Sequence, residues 1–316
     1  MAPNLPFEIN PELTGIALAY RNNNYVADKV LPRVKVSKRL FEYNEYDKGS
    51  FLTVPKTEIG RKGEAETMEL KSRLVPASCI DYSLKAEVPQ VDVEEAQANN
   101  GVENPIQDNT LLTVDGLKLA REKRVANLIT TASNYGGNVT ILSAAQENTF
   151  AYDESSFNAV FEDVINKMAV APNYAVVSQT GALKLQRHPD FLALYKNYNS
   201  DNRGRVPLDF IAKELGLKEI IVGSARLNTA KLGKTPVIEN IWGDDMAFIY
   251  INPLAKPKAG LTFGMTAEAS ALTVQTYFDS DKGAKGLNII RPVETLKEFI
   301  ACSGCGYLIK NAFAKA

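Results

Sequence analysis

The sequence predicts an α+β chain that relies on extensions: an N-terminal arm, a long β-hairpin, a spine helix, an α/β block and a closing run of strands. Three observations carry this. The start is proline-punctuated and basic, with too few apolar residues to build a core. Two runs of period-two alternation flank a polar, glycine-broken stretch. Apolar residues then recur at helical spacing from 109 to 135.

Residues 1–39 form the arm. Pro3, Pro6 and Pro11 interrupt it, Asn22, Asn23 and Asn24 make a polar turn, and Lys29, Arg33, Lys35, Lys38 and Arg39 follow with no acid between them. Such a segment must pack on something else to be ordered. A solvated basic strand is one reading; contact with another subunit or a polyanion is the other.

Residues 40–88 read as the hairpin. Leu40 to Tyr46 alternates, Asp47 to Ser50 breaks it, and a second run is expected near Cys79 to Leu84. Between Asp47 and Val75 lie six basic and five acidic residues, so the tip is charge-balanced. A two-stranded ribbon buries too little to stand alone and is expected to rest on a neighbour. An ordinary surface loop is the alternative.

Residues 89–149 hold the spine helix at 109–135, with Asp108 or Asn109 as cap. Val114, Leu117, Val125, Leu128 and Ala132 mark one face, and Lys118, Arg121, Glu122, Lys123 and Arg124 the other, with Gly136-Gly137 as the stop. Residues 150–255 read as α/β. Asp153 precedes a helix striped by Phe157, Val160, Phe161, Val164, Ile165 and Met168 and ended by Pro172. A buried strand follows at 175–178, and another helix breaks at His188-Pro189. A helix around Phe210, Ile211 and Leu215 stops at Gly216, and strands follow at 219–223 and 246–251. Residues 256–316 return to strands, at 261–268, 272–278, 287–291 and 307–309.

Composition narrows the function. In 316 residues, 36 Lys and Arg oppose 37 Asp and Glu, which excludes a polybasic nucleic-acid coat. No apolar run is long enough to cross a bilayer, so no membrane role is expected. Met1 to Leu13 shows no basic stretch leading into an apolar run, so no signal peptide is expected. Gly233-Lys234-Thr235 lacks the earlier glycine and the following helix of a phosphate loop. Cys302-Ser303-Gly304-Cys305 has no second pair to complete a zinc site, and buried thiols are the simpler reading. His188 reads as a helix-end residue, Asp244-Asp245 as a turn and Trp242 as an anchor; Asn138-Val139-Thr140 is a glycosylation sequon by letter only. Nothing pairs a nucleophile with a base and an orienting group, so neither enzyme activity, a cofactor nor a metal is expected.

Several stretches, in order, resemble the major capsid proteins of tailed phages. They are Pro11 to Ala17, Val26 to Val34, Arg121 to Leu128, Leu217 to Asn228 with Glu219-Ile220-Ile221-Val222-Gly223, Ile241-Trp242-Gly243, Asn252-Pro253, and Thr262 to Ala267. The resemblance implies the Hong Kong phage-type capsid fold, shared with encapsulins. Residues 1–39 would be the N-arm, 40–88 the E-loop, 89–149 the P-domain with its spine helix, 150–255 the A-domain and 256–316 the return to P-domain strands.

The implied function is a structural subunit of the virion. It would assemble in the host bacterial cytoplasm as hexamers and pentamers of itself, into an icosahedral shell enclosing double-stranded DNA by confinement. Portal and scaffolding proteins are the implied partners, and decoration proteins are further candidates; any scaffold is expected to be a separate protein. Arg61, Lys62, Glu64 and Glu66 are the candidate assembly residues at the E-loop tip, and Arg21, Asn22, Lys29 and Arg33 those of the N-arm. Lys35, Arg121, Lys123 and Arg124 are the candidate basic residues of the inner wall. Lys56, Lys62 and Lys71 lie on the hairpin, but no motif pairs them, and no cross-link is expected. The alternatives are an encapsulin-like compartment, or a two-domain α/β enzyme with a pocket at His188 or Asp244.

Overall fold

The computed structural model describes residues 8–315 apart from 21, 23, 47–48, 50–53, 55–56, 66, 68–71, 99–103, 153–154, 199–204 and 232. Arg21, Lys56, Glu66, Lys71 and Asp153, together with Pro3 and Pro6, lie outside the described residues.

In chain order the first half holds β1 (Glu8–Ile9), α1 (Pro11–Ala19), α2 (Ala27–Val30), β2 (Arg33–Lys35), β3 (Leu40–Tyr46), β4 (Ser72–Ser78), β5 (Ile80–Ser83), β6 (Ala86–Pro89), α3 (Gln90–Ala98), α4 (Pro105–Thr130) and β7 (Val139–Ile141). The second half holds α5 (Phe157–Lys167), β8 (Tyr174–Ser178), α6 (Gln179–Leu185), α7 (Pro189–Tyr198), α8 (Leu208–Glu214), β9 (Glu219–Gly223), β10 (Arg226–Asn228), β11 (Ile238–Asn240), β12 (Met246–Ile249), β13 (Gly264–Asp279), β14 (Leu287–Ile300) and β15 (Gly306–Lys310).

Two sheets share the work. The first is organised by β13 and β14, which pair antiparallel along most of their length. β1 and β2 add to the free edge of β13, while β5 and β6 add to that of β14. Sequence reading split β13 in two and ended β14 at Arg291, and the structure shows why both continue. Register shifts around Ser270 absorb the irregularity in β13. Pro292 in β14 faces Val274, whose backbone groups are both turned away, to Asn10 N and to Thr14 Oγ1, each at 3.0 Å. Pro292 also falls between the footprints of β6 and β5, so its missing N–H interrupts no ladder.

The second sheet runs β7-β15-β12-β8-β9 and is apolar on both faces. Successive side chains alternate between two cores. Ala175, Val177, Met246, Phe248, Tyr307 and Ile309 enter the core under α5, α6 and α8, whereas Val176, Ala247, Ile249 and Leu308 enter the core with α4. β15 and β7 therefore join the 150–255 block in this sheet, from either side of it in sequence.

Helix α4 bridges both halves. Val114 and Leu117 pack with Leu272, Val274 and Ile290 of the first sheet, and Val125, Ala126 and Ile129 with the second. Its boundaries differ from the predicted 109–135. Asn104 is the cap, accepting from Gln107 N at 3.1 Å, and Pro105 is pre-set for the first turn. The helix stops at Thr130 because later residues take its last carbonyls: Asn134 Nδ2 bonds Leu128 O at 2.7 Å, Tyr135 Oη bonds Ile129 O at 2.6 Å and Lys310 Nζ bonds Thr130 O at 3.1 Å. Similarly, α5 is capped by Ser156 and ends at Lys167, before Pro172.

Gly306 opens β15 where no side chain fits. A Cβ there would lie 2.3 Å from the Phe263 ring and 2.9 Å from Tyr135, both fully buried. Gly306→Ala is expected to cost about 2–3 kcal/mol by overpacking, read as a lower midpoint in chemical denaturation with an unchanged slope.

Candidate assembly interface

The arm docks first on its own chain. Asn10 caps α1 by accepting from Leu13 N at 3.0 Å, and Leu13 and Ala17 are buried against Val114 and Leu117 of α4. The expectation that the arm needs outside support is met here by the rest of the same molecule, because α4 presents matched polar groups at intervals of three and four residues. Asp115 Oδ1 accepts from Tyr20 Oη (2.8 Å), Asn22 Nδ2 (3.2 Å) and Tyr25 Oη (3.0 Å), and Lys118 Nζ donates to Tyr20 O (2.6 Å). Burial and the Asp115 acceptor push the Tyr25 phenol up.

One turn further on, Glu122 is fully buried. Its carboxylate accepts from Val26 N (3.1 Å), Ala27 N (2.8 Å) and Trp242 Nε1 (2.8 Å), joining arm, spine and α/β block at one group. Burial holds this carboxyl above its usual range despite those donors.

A charge network continues from it. Asp28 takes Arg33 Nε at 2.7 Å and Arg121 Nη1 at 2.6 Å, and Arg33 Nη1 reaches Glu268 (2.9 Å) and Glu294 (3.1 Å). Arg124 pairs with Glu298 at 3.1 Å and lies 3.6 Å over the Tyr82 ring. This corrects the predicted polar face of the helix. Arg121 is 3% exposed and Glu122 is buried, so Arg121 presents no charge to a wall. A single apolar stripe assumes one partner, whereas α4 is gripped by a sheet on one side and the arm on another. Lys35 and Lys123 are exposed; Arg33 and Arg124 are half-buried in these pairs, and Lys29 pairs with Glu219 at 2.9 Å on the surface.

Burial alone would raise the Asp28 carboxyl, but the Arg121 and Arg33 guanidinium groups outweigh it and hold the carboxyl below its usual range. Its stabilisation is thus full above the ordinary carboxylate pKa, about 4, and is lost as pH falls through the lowered value. Asp28 is largely solvent-exposed, so screening limits the effect. Asp28→Asn is expected to cost about 1 kcal/mol at pH 7, and the cost should shrink as pH falls below the ordinary carboxylate range, in urea denaturation followed against pH.

The hairpin is β3 paired with β4, from Leu40 opposite Ser78 to Tyr46 opposite Ser72. The predicted return strand near 79–84 is a correction. Ile80–Ser83 is β5 and pairs with β14, because β14 offers a free edge where β3 is already filled. The hairpin base is anchored by Tyr43 on Phe299, with centroids 4.2 Å apart, and by Asn44 N to Pro257 O and Tyr46 N to Ala301 O at 2.8 and 3.0 Å.

Beyond the base, the described residues 57–65 are all exposed. A turn closes by Gly63 N to Gly60 O at 2.9 Å with Arg61 and Lys62 at its corners, and Glu64 follows, exposed. Val54 is 90% exposed and Ile59 57%, and Leu40 and Leu74 are exposed on the strands. Beside the base lies an open groove of about 970 Å³, floored by Val36, Phe41, Pro76 and Pro257 and edged by Lys38 and Lys256. Leu254 and, on β11, Ile238 add further exposed apolar groups. These features offer exposed apolar surface of the kind a partner covers.

The residues proposed for chemistry sit elsewhere. His188 stands at the break between α6 and α7 and is buried among Phe150, Phe157 and Phe191, with Nε2 3.0 Å from Ser155 Oγ and Nδ1 accepting from Asp190 N at 3.3 Å. The fold needs α6 to stop and α7 to begin there, which draws the ring inward. Asp245 is held by Lys310 Nζ at 2.7 Å and Asn311 N at 2.8 Å, as a turn residue. Sequence reasoning missed Asp28, Asp115 and Glu122 as the groups that seat the arm. Only Glu122, an acid between two arginines and a lysine, carried any signal.

No family model matches the chain. It is 35% identical over 314 residues to a major capsid protein of Pseudomonas phage JBD67, covering 98% of this chain and 99% of that one. It is 26% identical over 321 residues to a major capsid protein of Burkholderia phage BcepMu, covering 96% of each. Among solved structures it matches a phage-related protein from Bordetella bronchiseptica RB50 with a TM-score of 0.75 at 18% identity, over 98% of both chains. It also matches the capsid of cyanophage P-SCSP1u with a TM-score of 0.56 at 11% identity, over 91% of this chain and 87% of that one.

Proposed function

Since the chain belongs to the family of phage major capsid proteins, we propose that it builds its shell through the projecting hairpin and the faces around its base. The end-to-end likeness to the Pseudomonas phage protein is the observation that carries the capsid role. The subunit assembles with copies of itself, as hexamers and pentamers, into an icosahedral shell around double-stranded DNA. Its relatives are structural proteins.

The division of labour follows the fold. Residues 1–39 act as the N-arm, 40–88 as the E-loop, 89–149 and 256–316 as the P-domain, and 150–255 as the A-domain. Strands β7 and β15 reach from the P-domain into the A-domain sheet. Arg61, Lys62 and Glu64 are exposed and free to meet an adjoining copy, and Glu66 is assigned to the same contact. In the arm, Asn22 and Arg33 serve to seat it on α4 and β13, and Lys29 stays at the surface with Arg21 as a further contact. Lys35 and Lys123, with half-buried Arg124, supply what positive charge reaches the inner wall; Arg121 does not. A near-neutral chain holds DNA by confinement. Portal and scaffolding proteins, and decoration proteins where the virus has them, complete the partner set, and assembly takes place in the host bacterial cytoplasm.

A closed shell needs heterologous contacts repeated around its axes, and permanent interfaces bury upwards of about 2,000 Å². Negative-stain microscopy of the chain, expressed alone and with its scaffold, tests the reading. Closed shells or capsomers are expected; a monodisperse monomer under both conditions overturns it. The sequence-level alternative, a cargo compartment of the same fold, predicts shells filled with a co-expressed enzyme.

A further inference from the structure

Cys302 and Cys305 stand apart from the assembly surfaces. Both are fully buried, and Cys305 Sγ lies 3.2 Å from Cys302 Sγ. Cys302 precedes and Cys305 ends the single turn, Ser303–Cys305, that joins β14 of one sheet to β15 of the other. The turn is pinned on every side: Cys302 N bonds Phe263 O at 3.2 Å, Ala169 N bonds Gly304 O at 2.9 Å and Tyr250 N bonds Cys305 O at 2.9 Å. Among the described residues no group of His, Cys, Asp and Glu could complete a metal site around them. The two thiols are held side by side, in contact with each other.

We propose that Cys302 and Cys305 are a latent dithiol, which a small peroxide converts to an intrachain disulfide that staples the joint between the two sheets. A disulfide needs sulfurs about 2.05 Å apart, so closure moves them by roughly 1 Å. One thiolate attacks the peroxide: an S–O bond forms, the O–O bond breaks and hydroxide leaves as water after protonation. The second thiol attacks that sulfenic sulfur, an S–S bond forms, the S–O bond breaks and a second water leaves. Two sulfurs give up two electrons, and one hydrogen peroxide becomes two waters. A compact oxidant suits sulfurs closed to solvent, where a bulky disulfide reagent has no approach. The hydrogen bond to Cys302, together with burial, holds Cys305 protonated well above the usual thiol range. The reaction is therefore slow at pH 7 and quickens as pH rises.

The readout is mass, so it needs neither assembly nor a variant that folds. The purified full chain is treated with hydrogen peroxide at pH 7 and pH 9, denatured, alkylated and digested with trypsin. Both cysteines fall on one peptide, Glu298 to Lys310, and Cys79 on another, Leu74 to Lys85. The expected result is a Glu298 to Lys310 peptide lighter by two hydrogens, with alkylation falling from three thiols per chain to one, reversed by dithiothreitol and faster at pH 9. The oxidised chain should also unfold at a higher temperature than the reduced one, by a few degrees. Full alkylation of all three cysteines, irreversible sulfinic or sulfonic acids in place of the disulfide, or a Cys79 cross-link would each overturn the proposal, as would an unchanged unfolding temperature.

Discussion

Deleting residues 50–71 is expected to leave a folded subunit that forms no closed shells. The cut spares both strands of the hairpin. Asp47-Lys48-Gly49 then joins Tyr46 directly to its cross-strand partner Ser72, a three-residue connection ending in glycine of the kind hairpins favour. The base keeps its anchors on Phe299, Pro257 and Ala301. What goes is the segment carrying Val54 and Ile59, whose apolar surface gains nothing within this chain. Circular dichroism and melting should therefore match the parent closely, while sedimentation and microscopy show monomers or small oligomers. Normal particles from this variant would remove the hairpin from the assembly account.

The second large effect is at Glu122. Glu122→Ala strands three buried donors, the N–H groups of Val26 and Ala27 and the indole of Trp242, and is expected to cost about 3–5 kcal/mol. Glu122→Gln keeps one accepting oxygen and should cost about 1–2 kcal/mol. The chain has a single tryptophan, so its fluorescence reports on the site without a label. In Glu122→Ala the emission should move to longer wavelength before global unfolding, as the arm lifts and water reaches the ring. Equal stability of the parent and both variants would mean that the arm is held by its apolar contacts alone.

Much of the second half of the chain was legible. β8, β9 and β12 are short apolar runs buried on both faces, and the stripe of α5 and the break at His188-Pro189 follow from spacing and proline sterics. The long strands were harder to read, because an irregular register at Ser270 and a proline at 292 look like breaks until the neighbouring strands are known. Helix α4 was found but misplaced by a turn at each end, since its true stop depends on Tyr135 and Lys310 folding back onto its carbonyls. The seat of the arm was hard to see for a related reason: Asp115 and Glu122 lie ninety residues or more from the groups they hold. The surfaces proposed for assembly have little local signature. Exposed apolar residues read like any loop, and it was the ordered resemblance along the whole chain that gave them a purpose.

Helix α4 has its first half embedded in one core and its second half in the other, with the arm strapped across it. The two sheets are thus coupled like the arms of a rigid bracket, and tilting one relative to the other would strain both cores at once. A shell that contains fivefold and sixfold rings asks the same subunit to sit at different dihedral angles to its neighbours. Flexing at the bracket would disturb both cores, so in the proposed shell the adjustment comes most cheaply from the thin projections, and curvature would be set where copies meet.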